Sequence, residues 1–489
     1  MVEGERAARI LRPGETCWRI ERANRLAVIV DAADYFATIR AAILKARHSV
    51  MLIGWDFDTR IKLDPTDRSG EVPNRLGRFL NWAVKRRPDL KIYILKWDLG
   101  VIQALGRGAT PMMILDWMTS RRIHFKLDHA HPVSATHHQK VVVIDDALAF
   151  CGGIDMTADR WDTHEHLDED PRRIRPGSKR RYGPWHDATT AVDGDAARAL
   201  GDLARDRWKR ATGEELAAPP SGSDPWPDRL EPSMTGVDVA IARTQPGYGG
   251  HPPVFEIEAL YLAAIAGAKR SLYIESQYFA SSTIAEAMAR RLQEPDGPEF
   301  VIVNPESANG WLEEKVMGAS RVRLLRMIRK ADVHGRFRLY TPVAQNGTPI
   351  YVHAKVLVMD DGLLRVGSSN LNNRSLGFDT ECDLAVEVLE GMPDAVRGQI
   401  TGLRNALLAE HLGVSTGKVE AALDGADGSL IAAVESLRGA GRSLVPFDPP
   451  ELNAVEEEVL SENSLLDPER PAWAWRANSI LSFLSRTSG

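Results

Sequence analysis

Cysteine is scarce in this chain, which contains three in 489 residues. Cys17, Cys151 and Cys382 are far apart, so they form neither a disulfide framework nor the paired spacing of a zinc site, and a reducing compartment is expected. No apolar run reaches about 18 residues, and the N-terminal stretch mixes Glu and Arg without an apolar core. The sequence therefore predicts no transmembrane span and no secretory signal. It indicates a cytoplasmic protein that at most contacts a membrane surface peripherally.

An excess of positive charge is also missing. The formal net charge is −6, which argues against a nucleic acid as the partner, although a local basic groove would escape this test. Apolar residues make up 44% and charged residues 26%, an ordinary balance for a globular protein. The length suits two domains or two fused halves of about 200 residues each. The oligomeric state is not readable from these quantities.

An internal repeat organises the chain. Residues 35–57 (YFATIRAAILKARHSVMLIGWDF) and 257–279 (IEALYLAAIAGAKRSLYIESQYF) align without gaps, and both predict an Ala-rich helix followed by a short strand. A matched motif follows each unit, HQKVVVID at 138–145 and HAKVLVMD at 353–360. The repeat predicts an α/β fold of two fused halves related by a pseudo-twofold axis. Each half is expected to hold a mostly parallel or mixed sheet flanked by helices.

The boundaries follow from the repeat and from composition. We assign residues 1–211 to the first half and 237–412 to the second. Residues 212–236 are rich in Pro, Ser, Gly and acidic side chains without periodicity, which is typical of a linker. Residues 413–489 have no counterpart in the first half, and we expect a helical and irregular tail with a packing role.

The repeated motif carries the chemistry. Successive side chains of a strand point to opposite faces, so His138 and Lys140 project together, as do His353 and Lys355. If the halves pack about the axis, two imidazoles and two ammonium groups converge. A tetrahedral phosphodiester suits this set, because the lysines neutralise its oxygens, one imidazole attacks phosphorus and the other protonates the leaving oxygen.

The motif aspartates complete the pattern without sharing the chemistry. Asp145 and Asp360 stand at odd offsets from the two histidines, so their side chains turn away from the predicted site. We expect them to fix the ends of the strands. After each aspartate, six intervening residues lead to a second matched unit, GGID at 152–155 and GSSN at 367–370. Two such copies at equal distance make a chance match very improbable.

These blocks resemble the phospholipase D superfamily, in particular eukaryotic-like and bacterial phospholipases D. The similar segments are HHQKVVVIDDALAFCGGIDMTADRWD at 137–162, GPWHD at 183–187, IESQYF at 274–279 and YVHAKVLVMDDGLLRVGSSNLNNRSLGFDTECDLAVE at 351–387. The resemblance implies a covalent phosphohistidine intermediate, with His138 as nucleophile and His353 as acid. It also implies that Lys140, Lys355 and Asn370 contact the phosphate.

Asp155 stands where simpler members of the family carry Asn. A carboxylate would repel a phosphodiester, so we expect Asp155 to bond to backbone or to a lysine. The segment IESQYF adds Glu275 and Gln277 as supporting residues implied by the resemblance.

Each histidine needs an acceptor on its far nitrogen so that the near nitrogen is free. Glu381 is the expected partner of His353, because the family has a carboxylate at that place. For His138 both Asp162 and Asp187 remain open.

Two weaker signals lie between these blocks. His164 and His166, followed by acidic residues, could suggest a metal site, but such a polar loop is usually solvated surface, and phosphohistidine chemistry needs neither metal nor cofactor. Six basic residues stand between Arg172 and Arg181. They indicate either a charged loop or a lip that contacts anionic membrane, at about 1 kcal/mol per residue near such a surface.

The sequence thus predicts a phospholipase D-type hydrolase that acts on a glycerophospholipid, with phosphatidylcholine as a candidate substrate, and releases phosphatidate. One alternative is phosphatidyl transfer of the cardiolipin synthase kind, and another is a nuclease of the same superfamily. A non-catalytic lipid-binding protein is disfavoured, because His and Lys are intact in both motifs.

Overall fold

The computed structural model describes residues 9–67, 69–98, 117, 120–307 and 318–448. Its strands are β1 (Arg19–Val30), β2 (Ser49–Gly54), β3 (Lys91–Trp97), β4 (Ile123–Asp128), β5 (Val141–Ile144), β6 (Leu148–Gly152), β7 (Trp185–His186), β8 (Ala188–Asp193), β9 (Met234–Gln245), β10 (Val254–Phe255), β11 (Ser271–Glu275), β12 (Glu299–Val303), β13 (Phe337–Val343), β14 (Tyr351–Val352), β15 (Val356–Met359), β16 (Leu363–Gly367), β17 (Glu381–Glu387) and β18 (Ser443–Pro446). Its helices are α1 (Ala32–Lys45), α2 (Leu76–Arg86), α3 (Gly194–Thr212), α4 (Glu256–Gly267), α5 (Ser282–Leu292), α6 (Ala319–Ala331), α7 (Asn373–Gly377), α8 (Asp394–Leu412), α9 (Thr416–Gly425) and α10 (Leu430–Leu437).

One large mixed sheet runs through both halves. Its order is β18-β13-β12-β11-β15-β16-β17-β9-β1-β8-β6-β5-β2-β3-β4, and β10 pairs with β9 beside this path. Outward from the central antiparallel pair β1–β9, the two halves have the same order of corresponding strands. The three outer repeat strands of each half are parallel, and the remaining neighbours are antiparallel. The predicted α/β fold is confirmed, with one shared sheet instead of one in each half.

The motif strands lie in the centre of the core. Both β5 and β15 are buried over their whole length, as expected for strands covered on both faces. Val141 and Val143 pack in the cluster that contains the apolar face of α3, whereas Val142 and Ile144 pack against α1 and α2. The alternating side chains of one strand therefore hold the helices of both layers to the sheet.

Short backbone pairings connect the two halves. β14 pairs in parallel with β7, so that Val352 lies opposite His186, and the backbone N–H of His353 donates to the carbonyl of His186 at 2.8 Å. The matching contact joins His138 N to the carbonyl of Thr380 at 2.9 Å. Each motif histidine is thus held by backbone of the opposite half.

Between α3 and β9, residues 213–233 form neither helix nor strand. Beyond α8, the helices α9 and α10 are followed by β18, which pairs with β13 and extends the edge of the sheet. The last 41 positions of the predicted tail lie outside the described residues. Among the described helices, none is both long and apolar enough to cross a membrane.

Candidate active site

Each histidine–lysine pair lies in the extended segment that enters a motif strand. His138 and Lys140 precede β5, and His353 and Lys355 precede β15. Lys140 Nζ donates to the carbonyl oxygen of His138 at 2.7 Å, and Lys355 Nζ donates to the carbonyl oxygen of His353. The two halves therefore place an ammonium group beside the histidine backbone in the same way.

The fold brings these four side chains into one site. The positive charges of Lys140 and Lys355 both lower the pKa of His138. Both lysines, together with His138, likewise lower the pKa of His353. Both lysines and His353 are buried, while the side chain of His138 is 16% exposed. Of the two imidazoles, that of His138 is therefore the more open to solvent.

The two imidazoles are held by carboxylates of the opposite half. His138 Nδ1 lies 3.0 Å from Glu381 Oε1 and 3.1 Å from Oε2, and His353 Nδ1 lies 2.7 Å from Asp187 Oδ2. The prediction that Glu381 pairs with His353 is wrong. Backbone pairing between the halves places residues 380–381 beside residue 138 and residues 186–187 beside residue 353. Each motif histidine therefore receives its carboxylate from the opposite half.

Serine hydroxyls fix one of these carboxylates. Ser368 Oγ and Ser375 Oγ each donate to Glu381, the second at 2.7 Å. In the first half Gly153 occupies the position of Ser368, and a Cβ there would lie 2.2 Å from Asp187 Oδ1. The absence of a side chain at Gly153 makes room for the carboxylate. Both serines were missed from the sequence, although Ser368 belongs to the second repeated unit.

Asp155 does not face a phosphate as a free carboxylate. Its Oδ1 accepts the backbone N–H of Trp55 at 3.1 Å and of Asp56 at 3.3 Å, and its Oδ2 lies 3.2 Å from Lys140 Nζ. We expected Asp155 to bond to backbone or to a lysine, and it contacts both. It ties the loop after β2 to the first motif.

The motif aspartates accept three backbone hydrogen bonds each. Asp145 accepts the N–H groups of residues 47, 48 and 49 at 2.7, 2.8 and 2.7 Å. Asp360 accepts those of residues 269, 270 and 271 at 3.0, 2.8 and 2.8 Å. Both residues have a φ of 53°. These two side chains anchor the entrances to β2 and β11 and lie outside the histidine–lysine set.

Burial keeps both imidazoles neutral. Desolvation is the main reason that the pKa of His138 lies well below its ordinary value, and the charges of Lys140 and Lys355 lower it further. The pKa of His353 is also far below its ordinary value, because of burial first and then Lys355 and Arg160. A neutral imidazole with its Nδ1–H donated to a carboxylate has a free Nε2 lone pair, which is the form of a nucleophile.

The same burial moves the neighbouring groups toward neutrality. Desolvation lowers the pKa of Lys355 to about 7, and the charges of Lys140 and Arg160 act in the same direction. Desolvation raises the pKa of Glu381 to about 8 and that of Asp187 to about 6. Several groups of this site therefore titrate near neutral pH, a frequent property of active sites.

A family model described as phospholipase D matches residues 338–439, which include the second motif and Glu381. Phospholipase D A of Dictyostelium discoideum is 25% identical over 469 residues, covering 79% of this chain and 35% of that protein. Cardiolipin synthase of Geobacillus kaustophilus is 25% identical over 409 residues, covering 80% and 68%. The crystal structure of phosphatidylserine synthase from Haemophilus influenzae shares the fold, with a TM-score of 0.52, 13% identity, and 78% and 86% coverage.

These matches support membership of the chain in the phospholipase D superfamily. It spans about a third of the length of the first two relatives, 35% and 36%. The names of the matched proteins include phospholipases D, a cardiolipin synthase and a phosphatidylserine synthase.

Aromatic side chains form a wall beside the histidine–lysine set. The rings of Trp185 and Tyr351 stack with centroids 4.5 Å apart, and the ring of Trp185 lies 5.3 Å from that of His353. The guanidinium of Arg160 lies 4.4 Å from the centroid of Trp185. A cavity of about 270 Å³ extends over Trp185 and Tyr351 toward Tyr182 and Arg175. Arg160 was missed, because nothing in its local sequence distinguishes it from a surface arginine.

Two supporting residues lie at different depths. Gln277 Nε2 donates to the hydroxyls of Tyr278 at 2.7 Å and Tyr351 at 2.9 Å, so it belongs to the aromatic wall. Asn370 is buried, and its Oδ1 accepts no hydrogen bond from the described residues. Its contact with a phosphate remains a prediction.

Glu275 and Asp162 belong to a second, buried network. Glu275 accepts His186 Nε2 and His411 Nε2, each at 2.9 Å. Asp162 accepts His166 Nδ1 at 2.9 Å and Arg173 at 2.9 Å. Asp162 is therefore not the partner of His138. The interpretation of the loop at 164–166 as solvated surface is wrong for His166, which is fully buried, whereas the side chain of His164 is 52% exposed.

The basic segment is largely neutralised by neighbours. Four of its six cations form ion pairs, namely Arg172 with Asp170, Arg173 with Asp162, Arg175 with Asp159 and Arg181 with Glu169. Arg173 is fully buried, so the prediction of a membrane-facing lip is wrong for that residue. Lys179 and Arg180 are exposed. The segment offers an anionic surface fewer free cations than its sequence suggests.

Proposed function

We propose that this chain is a phospholipase D-type phosphodiesterase that hydrolyses the headgroup bond of a glycerophospholipid through a covalent phosphohistidine. The observation that supports it is a pair of imidazoles, each with its Nδ1 on a buried carboxylate of the opposite half. Two lysines lie close enough for their charges to lower the pKa of both imidazoles. Two such imidazoles can serve as the nucleophile and the general acid for one anionic phosphorus centre.

The proposed reaction has two steps. His138 Nε2 attacks phosphorus, the bond from phosphorus to the headgroup oxygen breaks, and His353 gives its Nε2 proton to that oxygen. His353 is neutral before binding, and the negative charge of the phosphodiester favours its protonated form, so that the acid is assembled with the substrate. In the second step His353 takes a proton from water, whose oxygen displaces His138 from phosphorus and leaves phosphatidate.

The lysines and the aromatic wall have distinct roles in this scheme. Lys140 and Lys355 would balance the charge that grows on the non-bridging oxygens. The cavity lined by Trp185 and Tyr351 would accept a headgroup, since an aromatic face binds a quaternary ammonium well. Phosphatidylcholine is therefore the first substrate to test.

Phosphatidyl transfer is the second candidate, because matched relatives are named cardiolipin synthase and phosphatidylserine synthase. It differs only in the second step, where an alcohol replaces water. In both reactions the first step releases the headgroup, but the lipid products differ.

Purified protein is incubated with phosphatidylcholine vesicles, and choline and lipid products are measured with and without ethanol. We expect one phosphatidate for each choline in water, and part of the product as phosphatidylethanol when ethanol is added. Obligatory alcohol dependence would favour the transferase. Cleavage of single-stranded DNA without choline release would contradict both. His138→Ala should be inactive, and replacement of the exposed His334 is the matched control.

A further inference from the structure

Two carboxylates and two imidazoles that do not belong to the histidine–lysine set converge in the interior. Asp31 lies directly before α1, His166 lies in the loop after β6, His186 is in β7, and Glu410 is in α8. One oxygen or nitrogen atom from each lies within 4.8 Å of the others. We call these four residues the Asp31 cluster.

The distances within the Asp31 cluster are compatible with a four-coordinate ion, with Asp31 approaching the two imidazoles through different oxygens. Glu410 Oε1 lies 2.8 Å from His186 Nδ1 and 3.1 Å from His166 Nε2. Asp31 Oδ1 lies 3.4 Å from His186 Nδ1, and Asp31 Oδ2 lies 3.5 Å from His166 Nε2. Tetrahedral bonds of about 2.0–2.1 Å to nitrogen and oxygen place neighbouring ligand atoms roughly 3.3 Å apart.

The far nitrogens of both imidazoles are already held. His166 Nδ1 lies 2.9 Å from Asp162 Oδ2, and His186 Nε2 lies 2.9 Å from Glu275 Oε2. Histidines that bind a metal usually donate their other N–H to a carboxylate, which fixes the tautomer and frees the ligating nitrogen. Both rings thus present the correct atom, each supported by its own buried carboxylate.

One oxygen of the cluster has no hydrogen-bond donor among the described residues. Asp31 is fully buried, yet its Oδ2 accepts no hydrogen bond from any described residue. Its nearest basic atoms are ring nitrogens of His164 at 3.3 Å and His166 at 3.5 Å. A buried carboxylate oxygen without a donor is costly, and a divalent ion bound by Asp31 and Glu410 would remove that cost.

We propose that Asp31, His166, His186 and Glu410 bind one divalent transition-metal ion of the zinc type as a structural site. Two neutral imidazoles and two carboxylates balance its charge, and this donor set suits zinc. The half-exposed His164 lies against Asp31 and Glu410, at the solvent side of the cluster.

The ion would join both halves without taking part in the chemistry. Three ligands come from the first half and Glu410 comes from α8 of the second. His186 directly precedes Asp187, whose carboxylate holds His353, so a ligand bond at His186 would also fix that strand. The proposal does not rest on the proposed function, because metal content is independent of turnover.

The test uses the full chain, purified without a histidine tag. Metal content is measured by mass spectrometry, and Co²⁺ is then exchanged into the protein as a spectroscopic probe. We expect about one equivalent of metal per chain and the intense visible bands of tetrahedral Co²⁺. Asp31→Asn and Glu410→Gln, which keep the shape of the side chains, should each lose both signals.

Two neighbouring variants serve as controls. Asp34→Asn changes an exposed carboxylate that contacts only His164 in this group, and it should keep the metal. His411→Gln changes the other partner of Glu275 and should also keep it. Loss of metal in His411→Gln with retention in Asp31→Asn would overturn the assignment. A wild-type protein that holds no metal and gives no tetrahedral Co²⁺ spectrum would show an ion-pair network of protonated histidines and would overturn it as well, even if the variants failed to fold.

Discussion

At the scale of single residues, the orientation of each imidazole decides what it can do. His138 and His353 both place Nδ1 on a carboxylate, so both offer Nε2 to a substrate. Their surroundings differ, because Glu381 is fixed by two serine hydroxyls whereas Asp187 contacts the backbone N–H of Ala188. The more exposed His138 suits attack on an incoming phosphodiester.

The roles of the two histidines can be separated by trapping. With a phosphodiester whose leaving group is p-nitrophenol, His353→Ala should react once without an acid and then stall, because it lacks the base that activates water. Intact mass under mildly alkaline conditions should show a phosphoramidate on His138. His138→Ala should show none. An adduct on His353 in the His138→Ala protein would reverse the roles, and hydrolysis without any adduct would exclude the covalent scheme.

The crossed carboxylates predict two different defects. Glu381→Gln should slow both a lipid and a p-nitrophenyl substrate, by roughly 10²–10⁴, since it misorients the nucleophile in either case. Asp187→Asn should slow the lipid much more than the p-nitrophenyl ester, because p-nitrophenol leaves without an acid. The ratio of the two rates in each variant is the measurement. Equal ratios in both variants would argue against distinct roles.

Lys355 should set an alkaline limit on activity. Burial lowers its pKa to about 7, so the ammonium loses its proton as pH rises through that value, and kcat/KM should fall with it. In Lys355→Arg the guanidinium stays protonated, so the fall in the residual activity should move to higher pH. Lys140→Arg is the matched change in the other half. An unchanged profile in Lys355→Arg would assign the limit to another group.

The residues of the duplicated motif could be predicted from the sequence, whereas the contacts that depend on packing between the halves could not. His138, Lys140 and their counterparts follow from the duplicated motif, and the odd offset of Asp145 indicates a structural role that its three backbone bonds match. The partner of His138 could not be predicted, because Glu381 is 243 positions away and reaches it only by exchange of backbone. No local pattern encodes that register.

At the scale of elements, the motif aspartates fasten strands that the repeat places side by side. Asp145 ends β5 and binds the N–H groups at the start of β2, and Asp360 does the same between β15 and β11. The strand pairs β2–β5 and β11–β15 are antiparallel. Each aspartate therefore fixes the register of a motif strand against its neighbour, and with it the position of the motif histidine.

Removal of such an anchor should cost stability more than chemistry. Asp145→Ala loses three charge-assisted bonds and puts Ala at a φ of 53°, so we expect a loss of about 2–4 kcal/mol. Urea unfolding measures it, and kcat per folded molecule should stay near wild type. Asp145→Asn tolerates the backbone and should lose less. The exposed pair Asp361–Arg397 gives the control, since Asp361→Ala should cost under about 1 kcal/mol.

Two-residue strands explain why the buried histidines escaped prediction. β7 and β14 hold two residues each, too few for any periodicity to be read. Their pairing places His186 in the interior, where His166 and Glu410 meet it from distant segments. The sequence of the loop at 164–166 indicates polar surface, whereas in the structure His166 is buried beside His186 and Glu410.

At the scale of the whole molecule, the two halves are one functional unit. The sheet is continuous across β1 and β9, and each histidine takes its carboxylate from the other half. A half that folded alone would hold one imidazole, one lysine and no partner for the imidazole. Within the described residues, the two copies of the motif therefore contribute to one shared candidate site.

This dependence can be tested by cutting the chain between the halves. Residues 213–233 form neither helix nor strand, so fragments 1–222 and 223–489 leave the described sheet strands intact. Each fragment expressed alone should be inactive toward p-nitrophenyl phosphodiesters, and co-expression should restore turnover, because the β1–β9 pairing rebuilds the crossed site. Glu381→Gln in the second fragment should abolish the restored activity although His138 is in the first. Turnover by the first fragment alone would mean that it supplies its own carboxylate, and the crossed arrangement would then not be required for catalysis.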